Sequence, residues 1–285
     1  MGFLKKIKVF IELIKFEHTV FALPFAYLGM LLSTKQMPAF GKFFWITAAM
    51  VSARTAGMTL NRIVDLKIDE RNPRTKNRPL VTGEFSLVGA WAAAAVSLIV
   101  FFLSALLLNP LCFKLSFVAI FFLSTYHYVK RFNHLCHFAL GTVLAMAPIG
   151  GWIAVTGEFS WVASLLSLAV LFWVAGFDII YSLQDTDFDR TYNLHSIPVR
   201  FGRHEALKIS SYCHLGTLVF LILLGFFASL GVLYWIGVFV STILLKIEHS
   251  LVAEGEPDKI NAAFFMINGW IGILLLIFTF LDIYK

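Results

Sequence analysis

Runs of about twenty apolar residues recur along the whole of this 285-residue chain. Each is long enough to cross a hydrocarbon core about 30 Å thick as a helix rising about 1.5 Å per residue. Inside lipid every backbone N–H and C=O has to be satisfied within the segment itself, which leaves the α-helix as the spanning element for runs of this length. Spans are expected at about 16–32, 43–60, 87–108, 112–128, 135–155, 161–181, 209–227, 230–245 and 262–281. The reading is therefore an all-α polytopic membrane protein, a single domain over residues 1–285, with nine transmembrane helices around one central cavity. Only 14% of the residues are charged, too few for a soluble globular domain, where the share is roughly a quarter.

The few acids and bases are not scattered. Asn61, Asp65 and Asp69 close the second span, followed by a basic stretch that runs through Arg71, Arg74, Lys76 and Arg78. At i, i+4 and i+8 the three share one face of a continuous helix. Their oxygens suit a hard cation such as Mg²⁺ shared with the phosphates of a substrate. A solvated charged loop between spans is the plain alternative. Asp178, Asp185 and Asp189 close the sixth span at i, i+7 and i+11, again one helical face. The two acidic faces stand four spans apart, at positions that bring them over one cavity.

Eighteen of the lysines and arginines fall at the N-terminus and in the loops on the side of these motifs, against four on the other side. That bias orients the N-terminus and both motifs toward the cytoplasm, in a multi-pass protein of a bacterial plasma membrane. The basic residues follow topology and form no patch, so nucleic acid is not expected as a partner. Lysines alternate with apolar residues over 3–15, the pattern of a helix lying on an anionic membrane surface. Cys112, Cys136 and Cys213 stand singly, with neither metal-site nor disulfide spacing. Asn268, in the ninth span, either lines the cavity or bonds a neighbouring helix.

These residues resemble the UbiA superfamily of intramembrane prenyltransferases, whose two motifs are an Asn with two spaced Asp after the second helix and D-x-x-x-D after the sixth. Here these are Asn61, Asp65 and Asp69, and Asp185 and Asp189 preceded by Asp178 and Tyr181. Arg74-Thr75-Lys76-Asn77-Arg78-Pro79-Leu80 resembles the run that trails the first motif, and Tyr126-His127-Tyr128-Val129-Lys130-Arg131 the basic run after the fourth helix. Arg62 departs from the pattern, standing where many members carry a second acid. Phe16-Glu17-His18-Thr19, the stretch from Gly176 to Tyr181 and the stretch from His195 to Gly202 look most like the quinone-pathway members acting on 4-hydroxybenzoate, and like the branch acting on a dihydroxynaphthoate in the futalosine route to menaquinone.

The resemblance implies Mg²⁺-dependent transfer of a polyprenyl group from polyprenyl diphosphate to a small aromatic acid in ubiquinone or menaquinone biosynthesis. Asp65, Asp69, Asp185 and Asp189 would hold the metal, with Lys130, Arg131 and Arg78 as phosphate donors. Asn61, Asp178, Tyr126 and Tyr181 would line the substrate site, the tyrosine rings facing an allylic cation. Arg54 lies seven residues before Asn61 on the same face, about 10 Å deeper. A guanidinium there needs an anionic partner: either a protein acid (Asp65, Asp178 or Glu17) or the carboxylate of the acceptor. Two other readings compete, a prenyltransferase with a haem- or chlorophyll-type acceptor and a secondary transporter. The transporter would place its carboxylates near the bilayer midplane on broken helices.

Overall fold

A computed structural model describes residues 3–253, 260 and 266–285, with the side chains of 3–6, 17–21 and 253 left aside. Among the described residues there is no β-strand. The helices are α1 (Phe3–Ile14), α2 (Phe16–Thr34), α3 (Phe40–Val64), α4 (Leu66–Asp69), α5 (Leu87–Leu108), α6 (Pro110–Val129), α7 (Cys136–Thr156), α8 (Trp161–Ser182), α9 (Thr186–Thr191), α10 (Ile197–Phe227), α11 (Val232–Ala253) and α12 (Asn268–Tyr284). Setting aside the short α1, α4 and α9, the described residues hold nine long helices at the nine expected span positions. Six of these are long and apolar enough to cross a membrane by length and composition, while α2 and α12 carry shorter apolar stretches. The expected start of the ninth span, at 262, lies outside the described residues.

Local signals set the ends of these helices. Ser86 Oγ accepts from Gly89 N–H at 3.0 Å and opens α5, and Asn109 Oδ1 accepts from Cys112 N–H at 2.9 Å ahead of Pro110 to open α6. Each side chain satisfies one of the backbone donors that a first helical turn leaves free. Gly157, at φ 75°, ends α7 in the left-handed conformation. The α10 helix begins twelve residues ahead of the span expected at 209–227 and bends at Gly202, where φ is 78°.

The backbones of α2 and α7 approach closely at glycines. A Cβ on Gly29 would stand 1.9 Å from the carbonyl oxygen of Pro148, and one on Gly151 would stand 2.2 Å from that of Ala26. Only glycine lets the two backbones approach so far, the device by which helices associate without a hydrophobic driving force in lipid. Outward from the bundle, Trp161, Phe40 and Val88 are 87%, 79% and 79% exposed. Bare apolar side chains of this kind match a surface solvated by lipid. The described structure is that of an integral membrane protein.

Candidate active site

The two acidic stretches meet over a cavity of about 580 Å³. Eleven of the twelve predicted site residues line it: Arg54, Asn61, Asp65, Asp69, Arg78, Tyr126, Lys130, Asp178, Tyr181, Asp185 and Asp189. Arg131 does not. Its Nη2 donates to the Val64 carbonyl at 2.7 Å and stands 3.4 Å from Asp65 Oδ1, with the guanidinium 5.0 Å over the Tyr128 ring. It braces Asp65 from outside the cavity.

Neither motif lies on one uninterrupted helix, as the spacing predicts. Asp65 ends α3 at φ −92° and ψ 3°, and α4 restarts at Leu66. The i to i+4 bonds nonetheless continue across the joint, from Asp65 N–H to the Asn61 carbonyl at 2.9 Å and from Asp69 N–H to the Asp65 carbonyl at 2.8 Å. The shared face of the first motif therefore survives the break. In the second, Leu183–Asp185 form a 3-10 turn between α8 and α9. The tighter winding rotates Asp185 and Asp189 relative to Asp178, though all three still line the cavity. Asp178 meets His137 Nδ1 at 2.7 Å. His137 Nε2 receives the Ile197 N–H at 3.2 Å. A backbone N–H can only donate, so Nε2 accepts and Nδ1 is the nitrogen that donates to Asp178.

Among the described residues Asp65, Asp69 and Asp185 are each matched by a lysine or arginine. Lys130 Nζ lies 2.7 Å from Asp65 Oδ2, Arg78 Nη1 lies 2.5 Å from Asp69 Oδ2, and Arg74 pairs with Asp185. Asp65 and Asp69 are 2% and 5% exposed, and charges so deep are held only when paired. Arg74 grips Asp185 through two nitrogens, Nε at 2.9 Å and Nη2, and Nη1 donates to Tyr181 OH at 2.9 Å. Burial opposes the charge on Arg74, but its hydrogen bonds and the charge of Asp185 outweigh that and hold the group above its ordinary pKa. Asn72 adds a bond to Asp185 Oδ1 at 2.9 Å while its own Oδ1 accepts the Arg74 N–H at 2.9 Å. This side-chain turn aims both residues at the second motif.

Sequence reasoning missed Arg74, Asn72 and His137. Arg74 opens the run through Leu80 that resembles the family's, but within that run only Arg78 is expected as a phosphate donor. Arg62, the departure from the family pattern, is 5% exposed. It donates to the Leu13 carbonyl at 3.3 Å and to Asn61 Oδ1 at 3.1 Å. It thereby ties the end of α1 to the first motif in place of the acid expected there.

Arg54 sits deeper in the same cavity. Among the described residues no carboxylate pairs with it, and its buried Nε has no hydrogen-bond partner. Of the acids expected to meet it, Asp65 is engaged by Lys130 and Asp178 by His137, while the Glu17 side chain lies outside the described residues.

The donor chemistry fits Mg²⁺: Asp65, Asp69, Asp185 and Asp189 present hard oxygens to one cavity. Among the described residues no three His, Cys, Asp or Glu side chains close around a point to form a metal site by themselves. An ion here would need water or ligand oxygens to complete its shell, the usual manner of Mg²⁺ with phosphates.

The family model described as the UbiA prenyltransferase family matches residues 22–270. A 4-hydroxybenzoate octaprenyltransferase of Vibrio campbellii is 31% identical over 249 residues, 87% of each chain. One of Nitrosospira multiformis is 29% identical over 254 residues, 89% of this chain and 87% of the other. The apo structure of a UbiA homolog from Aeropyrum pernix superposes with a TM-score of 0.83 at 36% identity, covering 92% of this chain and 98% of that one. A UbiA homolog from Archaeoglobus fulgidus bound to GPP and Mg²⁺ has the same fold, with a TM-score of 0.72 at 20% identity over 97% and 100% of the two chains. With a family model over most of its length and a relative 31% identical over 87% of both chains, the chain belongs to the UbiA prenyltransferase family.

Proposed function

We propose that this prenyltransferase moves a polyprenyl group from polyprenyl diphosphate, with Mg²⁺, to an aromatic carboxylic acid, 4-hydroxybenzoate or a dihydroxynaphthoate, in ubiquinone or menaquinone biosynthesis. The observation that carries the choice of acceptor is Arg54: a guanidinium lining the cavity from a position about 10 Å before Asn61 along α3, with no carboxylate partner among the described residues. The names of the relatives support the same acceptor class. The excess of Lys and Arg on the motif side supports a cytoplasmic active site in a bacterial plasma membrane.

In the reaction the allylic C–O bond of the diphosphate breaks, a bond forms from the prenyl carbon to the ring, and the ring loses a proton. Mg²⁺ held by Asp65, Asp69, Asp185 and Asp189 supplies charge neutralisation of the leaving diphosphate when bound. Lys130, Arg78 and Arg74 stand at the same end and donate to its oxygens, where negative charge grows. Tyr126, with Leu140, Leu144, Trp173 and Phe177 deeper down, gives the cavity an apolar wall. That wall keeps water from the allylic cation. The planar fork of Arg54 holds the acceptor carboxylate by two parallel bonds and so aims the ring at the cation.

The test is an incubation of the purified protein with one prenyl diphosphate and a panel of acceptors, with Mg²⁺ and with a chelator. Prenylated 4-hydroxybenzoate or dihydroxynaphthoate formed only with Mg²⁺, together with released diphosphate, supports the reading. Equal use of the corresponding phenol without its carboxylate would sink the acceptor assignment.

A further inference from the structure

Trp173, in α8, is 2% exposed, yet it forms part of the cavity wall. It stands five residues before Asp178, about 7.5 Å along the helix axis, in the apolar part of the cavity beneath the charged end. Two rings hold its faces: Phe25 of α2, with centroids 4.8 Å apart, and Phe177, edge-on at 4.9 Å. Aromatic contacts of this kind fix a ring loosely, since each tolerates offset and tilt. Its orientation is set by hydrogen bonds.

The indole N–H donates to Asn268 Oδ1 of α12 at 2.8 Å, and Asn268 Nδ2 donates to Glu248 Oε1 of α11 at 2.7 Å. An indole nitrogen only donates, so the amide must present its oxygen to Trp173 and its nitrogen to Glu248. Glu248 and Asn268 are 0% and 1% exposed. Among the described residues Glu248 Oε2 has no hydrogen-bond partner, and His214 Nδ1 lies 4.0 Å from it. A half-satisfied carboxyl group inside a helical bundle is costly, and a leucine would fill the same space without that cost. What glutamate does that leucine cannot is accept from the amide and so lock the oxygen of Asn268 toward the indole.

We propose that Glu248 and Asn268 are positioning residues that clamp the Trp173 indole as a fixed wall for the isoprenoid chain, and that this clamp sets which prenyl chain lengths the cavity accepts. The proposal rests on the prenyl-transfer reading above. Neither Glu248 nor Asn268 lines the cavity, and Trp173 lies about 7.5 Å along α8 from the acidic end. The effect therefore appears as a change in preference between donors and not as a uniform loss of rate.

The experiment compares kcat/KM for geranyl diphosphate with that for octaprenyl diphosphate at saturating acceptor, in the wild type and in Asn268→Leu, Glu248→Leu, Glu248→Gln, Trp173→Phe and the Asn268→Leu/Trp173→Phe double variant. Asn268→Leu, Glu248→Leu and Trp173→Phe are each expected to shift the ratio roughly tenfold, the scale on which an apolar pocket discriminates. Glu248→Gln keeps an oxygen to accept from the amide, and the ratio should stay at the wild-type value. The double variant should shift no further than either single change, because both break one chain of contacts. A fall in kcat/KM by the same factor for both donors would overturn the clamp. If Asn268→Leu or Glu248→Leu gives no folded protein, Asn268→Ala, which removes the amide and leaves the Trp173 wall intact, decides in their place; an unshifted ratio in that variant also overturns it. Wild-type protein that transfers neither prenyl group overturns the underlying prenyl-transfer reading. Wild-type activity on both donors, with a ratio that no variant moves, overturns the clamp only.

Discussion

Lys130 Nζ stands 2.7 Å from Asp65 Oδ2, so a base from the end of α6 neutralises the acid at the joint between α3 and α4. Arg78 with Asp69 and Arg74 with Asp185 repeat the relationship. Three of the four acids proposed to hold the metal are thus paired with the cations proposed to hold the diphosphate. A metal diphosphate carries both signs and offers each group a new partner, so binding exchanges ion pairs and leaves no buried charge alone.

Asp65→Asn and Asp185→Asn should therefore each lower kcat by about two to three orders of magnitude, the scale of losing a preorganised electrostatic contact to the leaving group. The cations left without a partner, Lys130 and Arg131 in the first variant and Arg74 in the second, have side chains 32%, 38% and 30% exposed and can turn to water. The folded state should persist, and thermal melting in detergent checks that point. Near-normal turnover of either variant in saturating Mg²⁺ would refute a site shared by both motifs.

Arg74→Lys tests a residue that the sequence did not single out. Lysine keeps the charge but not the planar fork that reaches Asp185 through two nitrogens and Tyr181 through a third. Losing one such charge-assisted bond costs about 1.5 to 3 kcal/mol, so KM for the prenyl diphosphate should rise roughly tenfold or more. Because its partners hold Arg74 above its ordinary pKa, the group stays cationic on both sides of neutrality. The rise in KM should be the same at pH 6 and pH 8.5, and a rise confined to one of them would be inconsistent with this account.

Much of the architecture was legible because membrane insertion writes it into local sequence. Hydropathy marks the spans, and the few charges that interrupt the pattern mark the site. What stayed hidden depends on contacts made far along the chain. Asn72 and Arg74 meet Asp185 across 113 and 111 residues, and no periodicity in residues 70–86 announces which side chains the turns there aim inward. His137 is one of eight histidines, distinguished only by the fold that sets it between Asp178 and the Ile197 N–H. The breaks at Asp65 and at Leu183–Asp185 were invisible for another reason. Neither has a proline or glycine to signal it, and spacing alone predicts the uninterrupted helix.

Gly29→Ala and Gly151→Ala test the packing that holds α2 against α7. In both, the added carbon meets backbone at 1.9 and 2.2 Å, and backbone cannot swing aside as a side chain can. Overpacking typically costs about 1–3 kcal/mol, so each variant should melt lower than wild type in the same detergent. Gly41→Ala, with no atom near its added carbon, is the control. An unchanged melting temperature for both Gly29→Ala and Gly151→Ala would refute this packing.

Single cysteines placed in a variant lacking Cys112, Cys136 and Cys213 report the topology. Lys76 and Thr191 are exposed next to the two motifs, and Thr156 is exposed at the far end of α7. An impermeant thiol reagent should label positions 76 and 191 from the cytoplasmic face only and position 156 from the opposite face only. Labelling of 76 and 191 from opposite faces would contradict a single cavity reached from one side.

Arg54→Leu separates the acceptor from everything else in the site. The native guanidinium is intermediate in exposure and has no carboxylate partner among the described residues, and its Nε makes no hydrogen bond. Replacing it with leucine removes an uncompensated charge from the bundle, so stability should hold or rise. If the charge were there to brace the fold, stability should fall. The two hydrogen bonds that it offers a carboxylate are worth about 1.5 to 3 kcal/mol each, so kcat/KM for 4-hydroxybenzoate should drop by at least tenfold. KM for the prenyl diphosphate should change little, since the site proposed for it lies about 10 Å away along α3, at the level of Asn61 and Asp65. Use of the decarboxylated phenol, poor in the wild type, should be unaffected by the substitution, because there is no carboxylate for Arg54 to grip. Equal losses with acid and phenol would mean that Arg54 shapes the cavity in general, and an unchanged kcat/KM for the acid would remove it from acceptor binding altogether.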